Sequence, residues 1–168
     1  MNRPQPDEFS PFYKNYIASI DDDVIAKLNS QATEVPDFLR SIPAEKWDYA
    51  YAENKWTIRE TIGHVIDTER IMTYRLTRFA RNDSTTLPGF DENDYVANAH
   101  FKDRTSESLI EEFKLLRQSN LYLFNSLNDE ELSRKGISNN NPLSVKALLF
   151  IIAGHANHHQ NIISERYL

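Results

Sequence analysis

Two histidines stand where a helix should be greasy. The last stretch, Ala147-Leu-Leu-Phe-Ile-Ile-Ala-Gly-His-Ala-Asn-His-His-Gln-Asn-Ile-Ile-Ser-Glu-Arg-Tyr-Leu168, reads as a helix meant for a protein interior. With His155 at zero and about 100° added per residue, Leu148, Ile151, Ile152, His159 and Ile162 fall within about 60° of it. His155 and His159 are four apart, so they lie one turn above the other on that inward stripe. His158 falls on the flank, about 60° from His155 and about 100° from His159, and is not counted with them. The chain must therefore bury this helix among others and find partners for two imidazoles.

Two imidazoles at this spacing can reach one metal ion from a single helix, which is why it recurs in zinc sites. The same spacing also suits a hydrogen-bonded pair of core histidines. It is not the zincin motif, because Ala156 and Asn157 follow His155 where that motif has a glutamate to act as base. A metal reading needs a third ligand from elsewhere in the chain.

At 168 residues the chain is expected to form one domain with a full core. It has no cysteine, so neither a disulfide nor a thiolate ligand or nucleophile is on offer. The net charge of −6, with no block of lysine or arginine, argues against non-specific nucleic-acid binding. No apolar run has the length of a membrane span and the first residues have no signal-like core, so a cytoplasmic protein is expected. With four glycines and no GxGxxG, Walker A or GxSxG pattern, a glycine-rich nucleotide loop is excluded.

Residues 1–20, with Pro4, Pro6, Pro11 and the aromatics Phe9, Phe12, Tyr13 and Tyr16, read as an arm that packs onto the body. Asp21 to Asp23 offer caps for a first helix, in which Pro36 predicts a kink or a split into two. A connection follows over 43–56. Thr57 and Glu60 form a capping box for a second helix running to about Ala80. Its widest apolar arc holds Ile58, Ile62, Val65, Met72, Leu76 and Phe79. His64 lies at the edge of that arc, on a narrower stripe with Thr68, Ile71 and Arg75. A third ligand would face the interior from there, although His64 taken alone reads as a boundary residue.

Residues 82–104 form a long polar crossover, expected to contain a short helix near Asp91 to Ala99 and to serve as a lid, a site wall or a plain surface connection. A third helix starts near Thr105 or Ser106. Asn128 caps a short helix that Gly136 should end, 139–142 is a turn, and Ser144 caps the final helix. The outline is all-α, a four-helix bundle with a long crossover. Both histidine helices spell Gly-His, as Gly63-His64 and Gly154-His155. A mid-helix glycine costs roughly 0.5–1 kcal/mol against alanine, so close backbone approach is expected at both.

Trp56-Thr-Ile-Arg-Glu-Thr-Ile-Gly-His64-Val-Ile-Asp-Thr-Glu-Arg70, followed far downstream by Gly154-His155-Ala-Asn-His-His159, resembles the DinB/YfiT-like family of bacterial four-helix proteins. Leu87-Pro-Gly-Phe-Asp-Glu-Asn-Asp-Tyr95 and the stretch around Leu116-Arg117 resemble its YfiT branch, and the similarity runs from about Asp23 to the end. The resemblance implies one divalent metal, nickel or zinc, held by His64, His155 and His159. It further implies a homodimer, and an activity that is either thiol-dependent S-transfer with a low-molecular-weight thiol or metal-dependent hydrolysis of a small molecule.

Three neutral imidazoles leave a metal an open position, as in catalytic sites. Weaker candidates are Asp67, one turn past His64, as a hydrogen-bond partner of a ligand; Tyr95 as a proton donor; and Arg75 and Arg78 as partners of a substrate carboxylate. For Arg75, Arg78 and Arg117 the ordinary reading is a surface ion pair. The competing functional class is a non-catalytic metal-binding or interaction module. An open coordination position beside a reachable cavity separates the two.

Overall fold

Each long helix begins where a side-chain oxygen can satisfy a free backbone amide. In the computed structural model, which describes residues 2–168, Asp23 accepts from Ala26 N at the start of α2 (Val24–Arg40). Thr57 and Glu60 close the capping box of α3 (Ile58–Ala80). Thr105 opens α5 (Ser106–Ser126) and Ser144 opens α7 (Val145–Arg166). Three short helices complete the set: α1 (Lys14–Ala18), α4 (Glu92–Asn98) and α6 (Asp129–Ser133). Met1, the first residue of the arm, lies outside the described residues.

The four long helices close a ring in which α2 packs on α5, α5 on α3, α3 on α7 and α7 back on α2. Two apolar clusters fix their directions. Val24 and Leu28 of α2, Leu76 and Phe79 of α3, Phe124 of α5 and Leu148 of α7 share one end. Val35 and Leu39, Ile58 and Ile62, Leu109 and Phe113, and Ile163 share the other. Helices α2 and α7 therefore run one way, and α3 and α5 the other. Because α3 and α5 are parallel neighbours, the chain leaving Ala80 must travel back the length of the bundle, about 30 Å for twenty-odd residues. That requirement explains the long crossover. The expected short helix within it is α4.

Of the two outcomes expected at Pro36, the split does not occur: α2 continues to Arg40, and the Pro36 ring is buried with Val35 and Leu39, which offsets the missing hydrogen bond. Gly136 does not end α6, which stops at Ser133. It belongs instead to a strand, β1 (Lys135–Ser138), paired antiparallel with β2 (Asn141–Ser144). The turn at 139–142 is thus the tip of a hairpin, with Asn139 and Asn140 both in the left-handed region, as a two-residue type I′ turn demands. Strands of four residues, one containing Pro142, carry too little alternation to announce themselves.

The two Gly-His pairs differ in what approaches them. A Cβ on Gly154 would lie 2.2 Å from the backbone oxygen of Tyr16, so α1 and the arm press directly on α7. At Gly63 the neighbour is a side chain, the Phe101 ring, not a backbone. Gly154→Ala is expected to destabilise the protein by about 1–3 kcal/mol, because the overlap outweighs alanine's helix preference of about 0.5–1 kcal/mol. Chemical denaturation measures this, and a more stable variant would show that the arm does not hold this contact in solution. Among the described residues no helix is long and apolar enough to cross a membrane.

Candidate metal centre

His64 lies in the second turn of α3; His155 and His159 lie one turn apart on the facing α7. All three are buried. His155 Nε2 is 3.0 Å from His64 Nε2 and 3.1 Å from His159 Nε2, and one nitrogen from each ring falls within 4.8 Å of the other two. Trp56 lies against His64, with ring centres 4.8 Å apart, and Tyr16 sits edge-on to His155 at 5.5 Å. His158 is exposed, faces Tyr16 and stays outside the cluster.

Burial keeps these rings neutral. It lowers His64 to about 4, with a further push from His158, and lowers His159 to about 3, helped by His64 and His158. His155 is pushed well below the ordinary histidine value by burial, and then by His159 and His64. Each neutral ring nitrogen carries either one hydrogen or one lone pair. His155 Nε2 can therefore bond one of its two neighbours but not both, whichever tautomers are chosen. The remaining contact sets polar nitrogens together with no hydrogen between them.

A cation resolves that conflict. Nitrogens about 2.1 Å from a common ion stand about 3.0–3.4 Å apart at angles between roughly 90° and 109°, and the two contacts on His155 Nε2 have that spacing, as ligands of one divalent ion would. The outer support is thin. Thr68 Oγ1 is 3.5 Å from His64 Nδ1, and His159 Nδ1 is buried without a partner among the described residues.

A cleft of about 270 Å³ reaches His64 and His155. Its walls come from α3 (Thr68, Met72, Arg75), the arm (Tyr13, Tyr16), the crossover (Phe90, Glu92) and the hairpin (Asn139, Asn141). The crossover is therefore a site wall, one of the roles expected of it. The arm was expected to pack on the body, yet its aromatics also line the site; their number in so short a stretch was the available signal.

The weaker candidates divide. Arg75 is buried and lines the cleft. The Asp67 carboxylate is held by Arg70 at 3.3 Å rather than by a histidine, and burial, partly opposed by Arg70, raises its pKa. Tyr95 is exposed, packs against Phe90 and does not line the cleft. Arg78 pairs with Asp83, as a surface arginine should. Arg117 overturns the surface reading. It is wholly buried and forked onto Glu69, with Nε to Oε1 and Nη2 to Oε2 both at 2.8 Å. Glu69 was not singled out in the sequence, although its position, about 20° from Ile58 in helical projection, is the middle of the apolar arc.

A helical bundle with three histidine nitrogens converging from two facing helices belongs to the class of candidate metal proteins. Comparison makes the class specific: the chain belongs to the DinB superfamily, whose sequence model matches residues 27–163. A protein of Oceanobacillus iheyensis, named as a candidate metal-dependent hydrolase, is 22% identical over 136 residues, covering 80% of this chain and 78% of the relative. The fold is similar to that of YfiT from Bacillus subtilis, described as a probable metal-dependent hydrolase with an unusual four-helix bundle topology. That match has a TM-score of 0.68 and 20% identity, covering 98% of this chain and 91% of the other.

Proposed function

We propose that His64, His155 and His159 hold one divalent ion, nickel or zinc, and that the chain is a metal-dependent enzyme acting on a small molecule in the adjoining cleft. The observation that carries this reading is the pair of nitrogen contacts on His155 Nε2, of which only one can be a hydrogen bond. The relatives' names point the same way.

An ion there supplies Lewis acidity and lowers the pKa of a bound water or thiol, which serves hydrolysis and S-transfer alike. The protein's own residues do the rest. The three rings are already neutral at pH 7, so no proton has to leave before they ligate. Thr68 lies at the outer nitrogen of His64. Trp56 and Tyr16 wall two of the rings. A thiol reactant would have to be a co-substrate, since the chain has no cysteine.

Elemental mass spectrometry after reconstitution with nickel or zinc tests the site. About one equivalent is expected in the wild type. His155→Ala should weaken binding by more than the roughly 10–100-fold that loss of an outer partner costs. A wild type that retains neither metal would leave the cluster as core packing and remove the enzyme reading. Metal-loaded protein is then assayed for ester and amide hydrolysis, and for addition of small thiols to electrophiles.

A further inference from the structure

Among the described residues, Arg75 is the one buried arginine without an acidic partner. Arg117, the other buried arginine, is neutralised by Glu69. The remaining arginines pair with carboxylates, apart from exposed Arg166. Arg75 is 3% exposed, and its contacts are neutral: Nη2 donates to Pro88 O at 2.9 Å, Nη1 lies 3.6 Å from Met72 Sδ, and Cζ stands 5.8 Å from the Phe90 ring centre. The Tyr13 hydroxyl is a further polar neighbour, with that of Tyr95 nearby. A buried cation without a counter-charge is costly, and the guanidinium fork is shaped to take a carboxylate through two parallel bonds.

Position supplies the second observation. His64, Thr68, Met72 and Arg75 all line the same cleft from α3. His64 and Arg75 lie about 20° apart around the helix and about 16 Å apart along it. Between them on α3 lie Thr68 and Met72, and the lining also includes the apolar Ile151 and Leu143. The cleft thus has a histidine end, a partly apolar stretch and a cationic end. Its other charged residue is Glu92, which disfavours an anion carrying more than one charge.

We propose that Arg75 is the anchoring end of this cleft and takes the carboxylate of an elongated, singly charged organic acid whose far end lies at His64 and His155. The proposal rests on the metal-enzyme reading for what happens at that far end, but the anchor itself needs no metal.

The test uses chelator-treated protein, so that added carboxylates cannot bind a metal instead. Linear acids from butanoate to decanoate, the matching alcohols, and inorganic phosphate are titrated by calorimetry into wild type, Arg75→Met and Arg75→Lys. The acids are expected to bind at least tenfold more tightly than the alcohols. Arg75→Met should lose that advantage and Arg75→Lys should recover part of it. The melting temperature of Arg75→Met should equal or exceed that of the wild type, because an unpaired buried charge has gone. Should Arg75→Met fail to fold, the acid–alcohol comparison in wild type and the lysine variant still decide. Equal affinity for acids and alcohols, or unchanged acid affinity in Arg75→Met, overturns the proposal, and tighter binding of phosphate overturns the carboxylate assignment. Arg75-dependent acid binding in a protein that retains no nickel or zinc overturns the metal reading alone. Arg75-independent binding in a protein that holds one equivalent of metal overturns the anchor alone.

Discussion

Glu69→Ala is expected to lower the unfolding free energy by about 3–5 kcal/mol, the usual cost of stripping one partner from a buried ion pair. Arg117 and Glu69 are 0% and 3% exposed. They sit in a polar layer that divides the two apolar clusters of the bundle. Asn120 Nδ2 also donates to Glu69 at 3.1 Å, and Arg117 Nη1 donates to Gln31 Oε1 at 2.8 Å. Removing Glu69 leaves the guanidinium in a dry interior with neutral partners only. The denaturation midpoint in urea at unchanged slope reads the effect. Replacing both charges, as Glu69→Leu with Arg117→Met, is expected to restore stability to within about 1 kcal/mol of the wild type or above it, since the pair's desolvation cost goes with it. A loss below about 1 kcal/mol in the single variant would mean that water reaches the pair.

This layer also touches the candidate centre. Gln31 Nε2 donates to Ala153 O at 2.9 Å, two residues before His155, so the chain from Glu69 through Arg117 and Gln31 links α3, α5 and α2 to the histidine helix. Metal affinity in Glu69→Ala is expected to fall along with stability.

The helices were legible because their signals are local. Thr57 with Glu60, and Ser144 three residues before Ala147, announce helix starts through contacts within four residues. His155 and His159 were legible as a pair because helical spacing alone puts them on one face. His64 was placed by a stripe and by resemblance, since its meeting with His155 depends on how α3 packs against α7, 91 residues away. Arg117 shows the limit most clearly. Long-range pairing decides whether an arginine is surface or core, and its partner Glu69 is 48 residues distant. The β1–β2 hairpin escaped for a different reason: its strands are short, and only the asparagine tip carried a signal.

Metal-free protein is expected to lose stability on acidification from pH 7 to 5, earlier than carboxylate titration would cause. His64 and His159 fall from an ordinary 6.5 to about 4 and about 3 in the folded chain, and His155 is held well below 6.5, first by burial. Below pH 6.5 the unfolded chain therefore binds more protons than the folded one, so stability rises with pH in this window. The contribution is complete above the unfolded value. It drains as pH falls towards each folded value and is spent below it. Each ring steepens the dependence by at most about 1.4 kcal/mol per pH unit, which makes the loss between pH 6.5 and 5 on the order of 2 kcal/mol per histidine. Denaturation of chelator-treated wild type and of a His64→Gln/His155→Gln/His159→Gln variant at both pH values checks this. The wild type should show the slope and the variant should lack most of it, with His158 present in both. At pH 7, nickel or zinc at about a hundred times its dissociation constant should add about 2.7 kcal/mol to the wild type and nothing to the variant. Metal-free wild type with equal stability at pH 7 and 5 would show that the rings are not buried and neutral, and would remove the basis for a preformed ligand set.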